Sequence, residues 1–357
     1  MASLKEHYNE SLELLKNLIS HPSVTRSEQE VSQILLSDLR LHGYEPKQIG
    51  LNLMARGHNY DASKPNLLLN SHMDTVKPVA GWQTDPYQPI EEDGKLIGLG
   101  SNDAGASLVS LLHTFYVLDS KEQKYNPIFL ATCQEEVNGD GGMKLVLSHL
   151  PQIAVALIGE PTGMQPAIAE KGLMVLDFTA QGTAGHAARE EGVNALYRAM
   201  DVISMLREFR FENVSQFLGP VKMTVTMVHA GTQHNVIPDT CTFTADVRSN
   251  EMYSNKQIFD LVQENLPEWC LVRARSFNLN SSRLNPGHPI VRKAVSLGLE
   301  PYGSPTLSDQ AVLSCPSFKM GPGDSARSHT AGEYICLSEL EAAVPAYLKL
   351  LDGLEIG

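Results

Sequence analysis

The sequence predicts an α/β fold with a smaller α+β unit inserted into it, and three observations carry that prediction. Short, fully apolar runs recur between helical segments: Leu67-Leu68-Leu69, Ile128-Phe129-Leu130-Ala131 and Val155-Ala156-Leu157-Ile158. Continuous apolar strands of this kind belong to sheets covered by helices on both faces. From about Gly172 the texture changes to longer alternating segments, and after Ser282 it reverts. The expected domains are 1–172 and 283–357, which together form the α/β part, with 173–282 as the insertion.

Each element has a local reason. Ser27-x-x-Glu30 reads as a capping box, followed by Val31, Ile34, Leu35 and Leu39 at helical spacing and a stop at Gly43. A helix is expected over 106–118, with Leu108, Leu111, Leu112 and Phe115 on one face. In the insertion, 174–179 reads as a strand, 194–209 as a helix, 221–228 and 240–247 as alternating strands, and 258–266 as a helix. That β-α-β-β-α order suits a small α+β unit. A loop at Gly321-Pro322-Gly323 and a final helix over 338–351 complete the chain.

Composition narrows the function. The 357 residues contain 28 Lys+Arg against 41 Asp+Glu, a formal charge of −13 that repels phosphate backbones and disfavours nucleic acid as a partner. The first twenty residues mix charge with Leu at helical spacing, which predicts no secretory signal, and no apolar run approaches the ~20 residues that cross a bilayer. The five cysteines are dispersed, without C-x-x-C spacing, which argues against a disulfide framework or a thiolate zinc site and for a reducing cytoplasm. Gly98-x-Gly100 lacks the third glycine of a dinucleotide fingerprint, and no G-x-S-x-G elbow is present.

Each apolar strand of the α/β part runs into metal-ligand residue types: His72-Met73-Asp74, Glu135-Glu136 and Gly159-Glu160. Open α/β sheets bind at the carboxyl ends of their strands, so these endings should converge. Asp103, just before a helix, and His329, after the Gly-Pro-Gly loop, join them. Singly, each has an ordinary reading: a helix cap, a solvated acidic turn, a structural histidine. Three hits on consecutive strands are harder to dismiss.

His72-x-Asp74, Gly100-x-x-Asp103, Glu135-Glu136, Glu160 and His329-Thr330 stand in the order and spacing of the dinuclear zinc aminoacylase and carboxypeptidase family, the M20 type. The chain resembles that family over nearly its whole length. It most resembles the acetylornithine/acetylcitrulline deacetylase branch, through its size, Gly159-Glu160-Pro161-Thr162 and Asn235-Val236-Ile237-Pro238. The resemblance implies a zinc-exopeptidase-like catalytic domain with a ferredoxin-like lid and dimerisation domain. It implies two Zn²⁺, with Co²⁺ or Mn²⁺ as possible substitutes: His72 and Glu160 on one ion, Glu136 and His329 on the other, and Asp103 between them. Asp74, two residues beyond His72 in extended chain, would orient that imidazole. Glu135 would be the general base, taking a proton from the attacking water and returning it to the leaving amine.

In the insertion, Gly182-x-x-x-His186 and Gly192-x-Asn194-Ala195 resemble the lid, whose histidine reaches across a homodimer to the oxyanion. Asn235 and Arg248 resemble positions that grip a substrate carboxylate. Three departures concern substrate more than chemistry: no lysine follows Asp103-Ala104-Gly105, Arg189 stands where proline is common, and the late motif Arg327-Ser328-His329-Thr330-Ala331-Gly332-Glu333 is slightly altered from the family's His-Thr-x-x-Glu. The expected function is a cytoplasmic, metal-dependent amidohydrolase that removes an acetyl or succinyl group from a small N-acyl amino acid. N2-acylornithine or N-acylcitrulline is the expected substrate, which belongs to arginine biosynthesis. The alternatives are a succinyl-diaminopimelate desuccinylase or dipeptidase of the same fold, and, from a different class, a metal-binding interaction protein without catalysis.

Overall fold

The structure is a computed structural model that describes residues 3–189 and 191–356. Two compact units divide the chain: Met1–Ile168, Arg283–Tyr302 and Ser308–Gly357 form the first, and Ala169–Ser282 with Gly303–Leu307 the second.

The first unit is built on a mixed sheet whose strands run in the order Lys47–Ile49, Asn52–Arg56, Asn126–Thr132, Asn66–His72, Val155–Ile158, Ser317–Lys319. The last four are mutually parallel, and Asn52–Arg56 pairs antiparallel with Asn126–Thr132. The three apolar runs predicted as strands are the buried centre of this sheet. Parallel strands here need helices on both faces. One face packs Leu68, Ile128, Leu130, Ala156 and Ile158 against Met143 and Val146. The helix Ala106–Asp119 is buried on nearly every side, not on the single face its leucines suggested, because Ser107, Ser110, His113 and Thr114 are enclosed as well.

A second difference concerns the helix Gln29–Leu41. Its N-cap is Glu28, with no side-chain cap, so the predicted Ser27 capping box does not form. The buried Glu28 carboxylate instead accepts the backbone N–H groups of Arg26 at 2.9 Å and Gln134 at 3.1 Å. It ties the segment before the helix to the loop after the Asn126–Thr132 strand.

The second unit is an antiparallel sheet in the order Lys222–Ala230, Thr240–Ser249, Gly172–Gln181, Cys270–Ala274. The helices Ala195–Glu208 and Asn255–Glu264 supply Ala199, Val202, Ile258 and Val262 to its core, where Phe178 and Phe243 stack at 4.7 Å. The strand Cys270–Ala274 lacked a sequence signal, and with it the unit has the βαββαβ order of a ferredoxin-like fold.

Candidate metal centre

The carboxyl ends of the parallel strands bring the predicted donors together. His72 ends its strand, Glu135 and Glu136 follow Asn126–Thr132 by a short turn, and Glu160 follows Val155–Ile158. Asp103 lies between the Gly100 turn and the helix Ala106–Asp119. Gly100 itself has φ +77°, and a Cβ there would lie 2.6 Å from the Thr75 methyl, so only glycine fits.

Asp103 stands between two imidazoles. Its Oδ1 is 3.2 Å from His72 Nε2, and its Oδ2 is 3.6 Å from His329 Nε2. Glu136 Oε2 approaches His329 Nε2 at 3.0 Å, and Glu160 Oε1 lies 3.9 Å from His72 Nε2. His72, Asp103 and Glu136 each offer a ligand atom within 4.8 Å of the others. His72 Nδ1 sits 2.9 Å from the backbone carbonyl of Asp74, which can only accept. That contact keeps a proton on Nδ1, so Nε2 is the nitrogen that faces the carboxylates and would give up its proton to bind an ion.

Burial and crowding shape the charges. Burial opposes a proton on His72, but the Asp103 and Asp74 carboxylates outweigh it and hold its pKa well above the usual value. Burial and the neighbouring acids push Glu160 up to about 8 and Glu135 well above an ordinary carboxyl. Contact with Glu136 raises His329 to about 9. Four carboxylates, from Asp103, Glu135, Glu136 and Glu160, face two imidazoles. An acid excess enclosed in this way, with mixed N/O donors split into two halves around a shared carboxylate, fits a pair of divalent cations.

Asp74 lies beside His72, where the sequence placed it, and also holds the two glutamates. Its carboxylate is 3.6 Å from His72 Nδ1, and its oxygens also accept the backbone N–H of Glu135 at 3.0 Å and of Glu136 at 3.3 Å. The Thr25 hydroxyl donates to it at 2.7 Å. Asp74 therefore orients the imidazole through its main chain and the two glutamates through its side chain. Sequence spacing missed this, because the residues that Asp74 bonds are about sixty positions away.

Other positioning groups were also missed. Glu333 Oε1 accepts the backbone N–H groups of Asn102 and Asp103, each at 2.9 Å, and burial raises its pKa to about 7. The Asn102 amide donates to the Asp324 carbonyl at 3.1 Å and accepts from the Asp324 N–H at 3.0 Å, which clamps the loop leading to His329. Arg327 in that loop forms a bidentate pair with Glu339 at 2.6 and 3.1 Å. Gln134 (φ +56°), Asn138 (φ +48°) and His329 (φ +58°) adopt left-handed backbone, a strain that surrounding contacts must maintain. Asp309 lies behind the site, accepting from the Thr132 hydroxyl at 2.6 Å and the Asn70 amide at 3.0 Å.

In the second unit, His186 and Asn235 are neighbours. Gly185–His186 pairs with Val236–Ile237, and the Ala187 N–H donates to the Asn235 carbonyl at 3.0 Å. Arg248 is at the other end of the strand Thr240–Ser249, where its Nε and Nη2 pair with Asp246 at 2.8 and 3.2 Å. Eight residues of strand separate it from Thr240, roughly 26 Å. One chain does not bring Arg248 and Asn235 to the same carboxylate.

Residues 168–269 match the family model described as peptidase dimerisation domain. The chain is 24% identical to a succinyl-diaminopimelate desuccinylase of Coxiella burnetii, over 96% of this chain and 99% of that one. It is 27% identical to an acetylornithine deacetylase of Shigella sonnei, over 91% and 92%. Its fold is shared with aminopeptidase PepT from Bacillus cereus at TM-score 0.79 and 19% identity, covering 96% and 98% of the two chains. A dinuclear metal binding peptidase of the M20 family from Bacillus subtilis gives TM-score 0.74 at 16% identity, covering 97% and 98%. The proteins that the chain resembles in its second unit, in sequence and in fold are M20-type amidohydrolases and peptidases. The chain is similar in sequence to both a desuccinylase and a deacetylase.

Proposed function

We propose that the chain is a metal-dependent amidohydrolase that releases an acyl group from the amine of an N-acyl amino acid. The observation that carries the reading is Glu135, a carboxyl of raised pKa held by Asp74 beside a double cluster of metal-ligand donors. His72 and Glu160 would hold one divalent ion, Glu136 and His329 the other, and Asp103 both. Zn²⁺ suits this donor set, with Co²⁺ or Mn²⁺ as alternatives. When bound, such ions make water acidic and polarise an amide carbonyl.

The remaining steps belong to the chain. Glu135 takes the proton of the attacking water on its carboxylate as the water oxygen bonds to the amide carbon. It then gives that proton to the leaving nitrogen as the C–N bond breaks, releasing carboxylate and amine. His186 supplies a hydrogen bond to the developing oxyanion from the partner chain. In the second unit the edge strand Lys222–Ala230 leaves Met227 and Val228 about half exposed, and the helix Ala195–Glu208 exposes Tyr197 and Met200. An open sheet edge beside apolar side chains supports a homodimer through this unit. In such a dimer Asn235 and Arg248 would serve one substrate carboxylate from different chains. Asp246 occupies the Nε–Nη2 edge of the Arg248 guanidinium and leaves the other edge for that task.

The substrate class we favour is N2-acylornithine or N-acylcitrulline, with acetyl or succinyl as the acyl group, which would place the enzyme in arginine biosynthesis. Similarity to a desuccinylase at 24% identity keeps acyl-diaminopimelate as the second reading. The test is a panel of acetyl- and succinyl-ornithine, acetyl- and succinyl-citrulline, succinyl-diaminopimelate and dipeptides. The highest kcat/KM is expected for an acylated ornithine or citrulline. A preference for succinyl-diaminopimelate or a dipeptide overturns the substrate, and inactivity on every amide overturns the reaction.

A further inference from the structure

A second group of metal-ligand side chains lies in the first unit, built from residues outside the centre described above. His7 and Glu10 stand three residues apart on the helix Leu4–Ile19, so they share one face. That face meets His113, in the middle of the buried helix Ala106–Asp119. His7 Nδ1 is 3.1 Å from His113 Nδ1, and Glu10 Oε2 is 3.8 Å from His113 Nδ1. The three residues each place a ligand atom within 4.8 Å of the others. His42, which caps the helix Gln29–Leu41, brings its Nε2 to 3.8 Å from Glu10 Oε2.

We propose that His7, Glu10 and His113, with His42 as a fourth ligand, form a structural site for a zinc-class divalent ion that ties three helices together. The nitrogen pair matches: ligands at 2.0–2.1 Å from a tetrahedral ion stand about 3.3 Å from one another, and His7 Nδ1 and His113 Nδ1 are 3.1 Å apart, while His42 would have to move closer to join them. The half-exposed Glu10 carboxylate can close the longer gaps by side-chain rotation. The donor chemistry also matches. Three imidazoles and one carboxylate are a borderline set that suits zinc over calcium or magnesium.

The surroundings prepare these nitrogens as ligands. Burial pushes His113 down to about 3 and lowers His7, so both are neutral and protons compete little with a metal for their lone pairs. His42 Nδ1 lies 2.9 Å from the Asp38 carbonyl, so Nδ1 carries the proton and Nε2 faces Glu10. The Asp38 carboxylate, 3.5 Å from the same nitrogen, raises His42 to about 9, so binding there displaces one proton. Tyr116 stacks on the His42 ring at 4.2 Å and donates to Asp38 at 2.8 Å, which fixes both. His7 Nδ1 and His113 Nδ1 face each other across 3.1 Å, so without an ion the two must share one proton; the buried His113 Nε2 has no hydrogen-bond partner among the described residues, with or without an ion at Nδ1. Sharing a single proton between His7 and His113 is the arrangement the metal would replace.

The test is Zn²⁺ titration of the chelator-stripped chain by calorimetry, repeated with Co²⁺ and visible absorption. In the chain carrying His72→Ala and His329→Ala, one equivalent of Zn²⁺ is expected to remain. Adding Glu10→Gln or His7→Asn is expected to weaken that equivalent at least tenfold, with circular dichroism unchanged. In the chain with an intact principal centre, the pair Glu10→Gln and His7→Asn is expected to lose one equivalent and keep full amide hydrolysis. No remaining equivalent in the first chain overturns the proposal, as does one that survives both substitutions. If the first chain is unfolded, the loss of one equivalent in the second comparison decides, and an unchanged stoichiometry there overturns the site.

Discussion

The carboxylate of Asp74 receives the backbone N–H of Glu135 at 3.0 Å, so the strand that ends in His72 also positions the proposed general base. Asp74→Asn replaces one accepting oxygen by an amino group that cannot serve the Glu135 or Glu136 N–H. kcat is expected to fall roughly 10–100-fold with KM little changed. Steady-state kinetics together with metal analysis checks this, and unchanged kcat would reduce Asp74 to a structural group.

Glu135→Gln preserves shape but removes the proton acceptor. Hydrolysis is expected to drop by roughly 10²–10⁴-fold while metal content stays that of the parent chain. A variant with substantial remaining turnover would sink the proposed mechanism.

Arg327 anchors the loop that carries His329, through its two bonds to Glu339 and its position 4.6 Å over the Tyr334 ring. Arg327→Met is expected to weaken one of the two ions of the principal centre roughly 10–100-fold and to spare the other. Calorimetry with Zn²⁺ would resolve the two affinities, and equal weakening of both would show that the loop acts on the whole centre.

His113 dictates a pH dependence in the metal-free chain. Its folded pKa of about 3 lies below the unfolded value of about 6.5, because burial disfavours the charged ring. The unfolded state therefore binds the extra proton first, and stability falls as pH drops from about 6.5 toward 3, by up to about 1.4 kcal/mol per pH unit. His113→Gln is expected to flatten that acid limb in chelator, as read by denaturant melts across pH. A parallel limb in parent and variant would contradict the assignment.

The exposed edge strand offers a test of assembly. Val228→Glu sets a charge on the open face of Lys222–Ala230 and is expected to yield monomers in sedimentation, with hydrolysis lost alongside. Monomers that remain fully active would remove the partner's His186 from the reaction.

Much of this molecule is legible in its sequence because the signals are local. The runs at Leu67, Ile128 and Val155 mark buried parallel strands, since only strands covered on both faces read as continuously apolar. Residue types at strand ends also point to His72, Glu136 and Glu160 as neighbours, because α/β sheets collect their ligands there. What stayed illegible depends on contacts remote in sequence. Glu28 reads as the middle of a capping box, yet it bonds Gln134; Glu333 reads as the end of a short motif, yet it holds the backbone of Asp103. The strand Cys270–Ala274 gave no periodic signal, and its pairing with Gly172–Gln181 defines it.

The division has a physical basis. Sequence by itself determined the residue types of the chemistry and the covered sheet that carries them, since hydrophobic period and strand-end composition act within a few residues. Tertiary structure alone decided which carboxylate orients and which can accept a proton, since those roles depend on burial and on amides supplied by other segments. It alone also set His7 and His113 in contact, because two helices separated by about a hundred residues must pack before their nitrogens can meet.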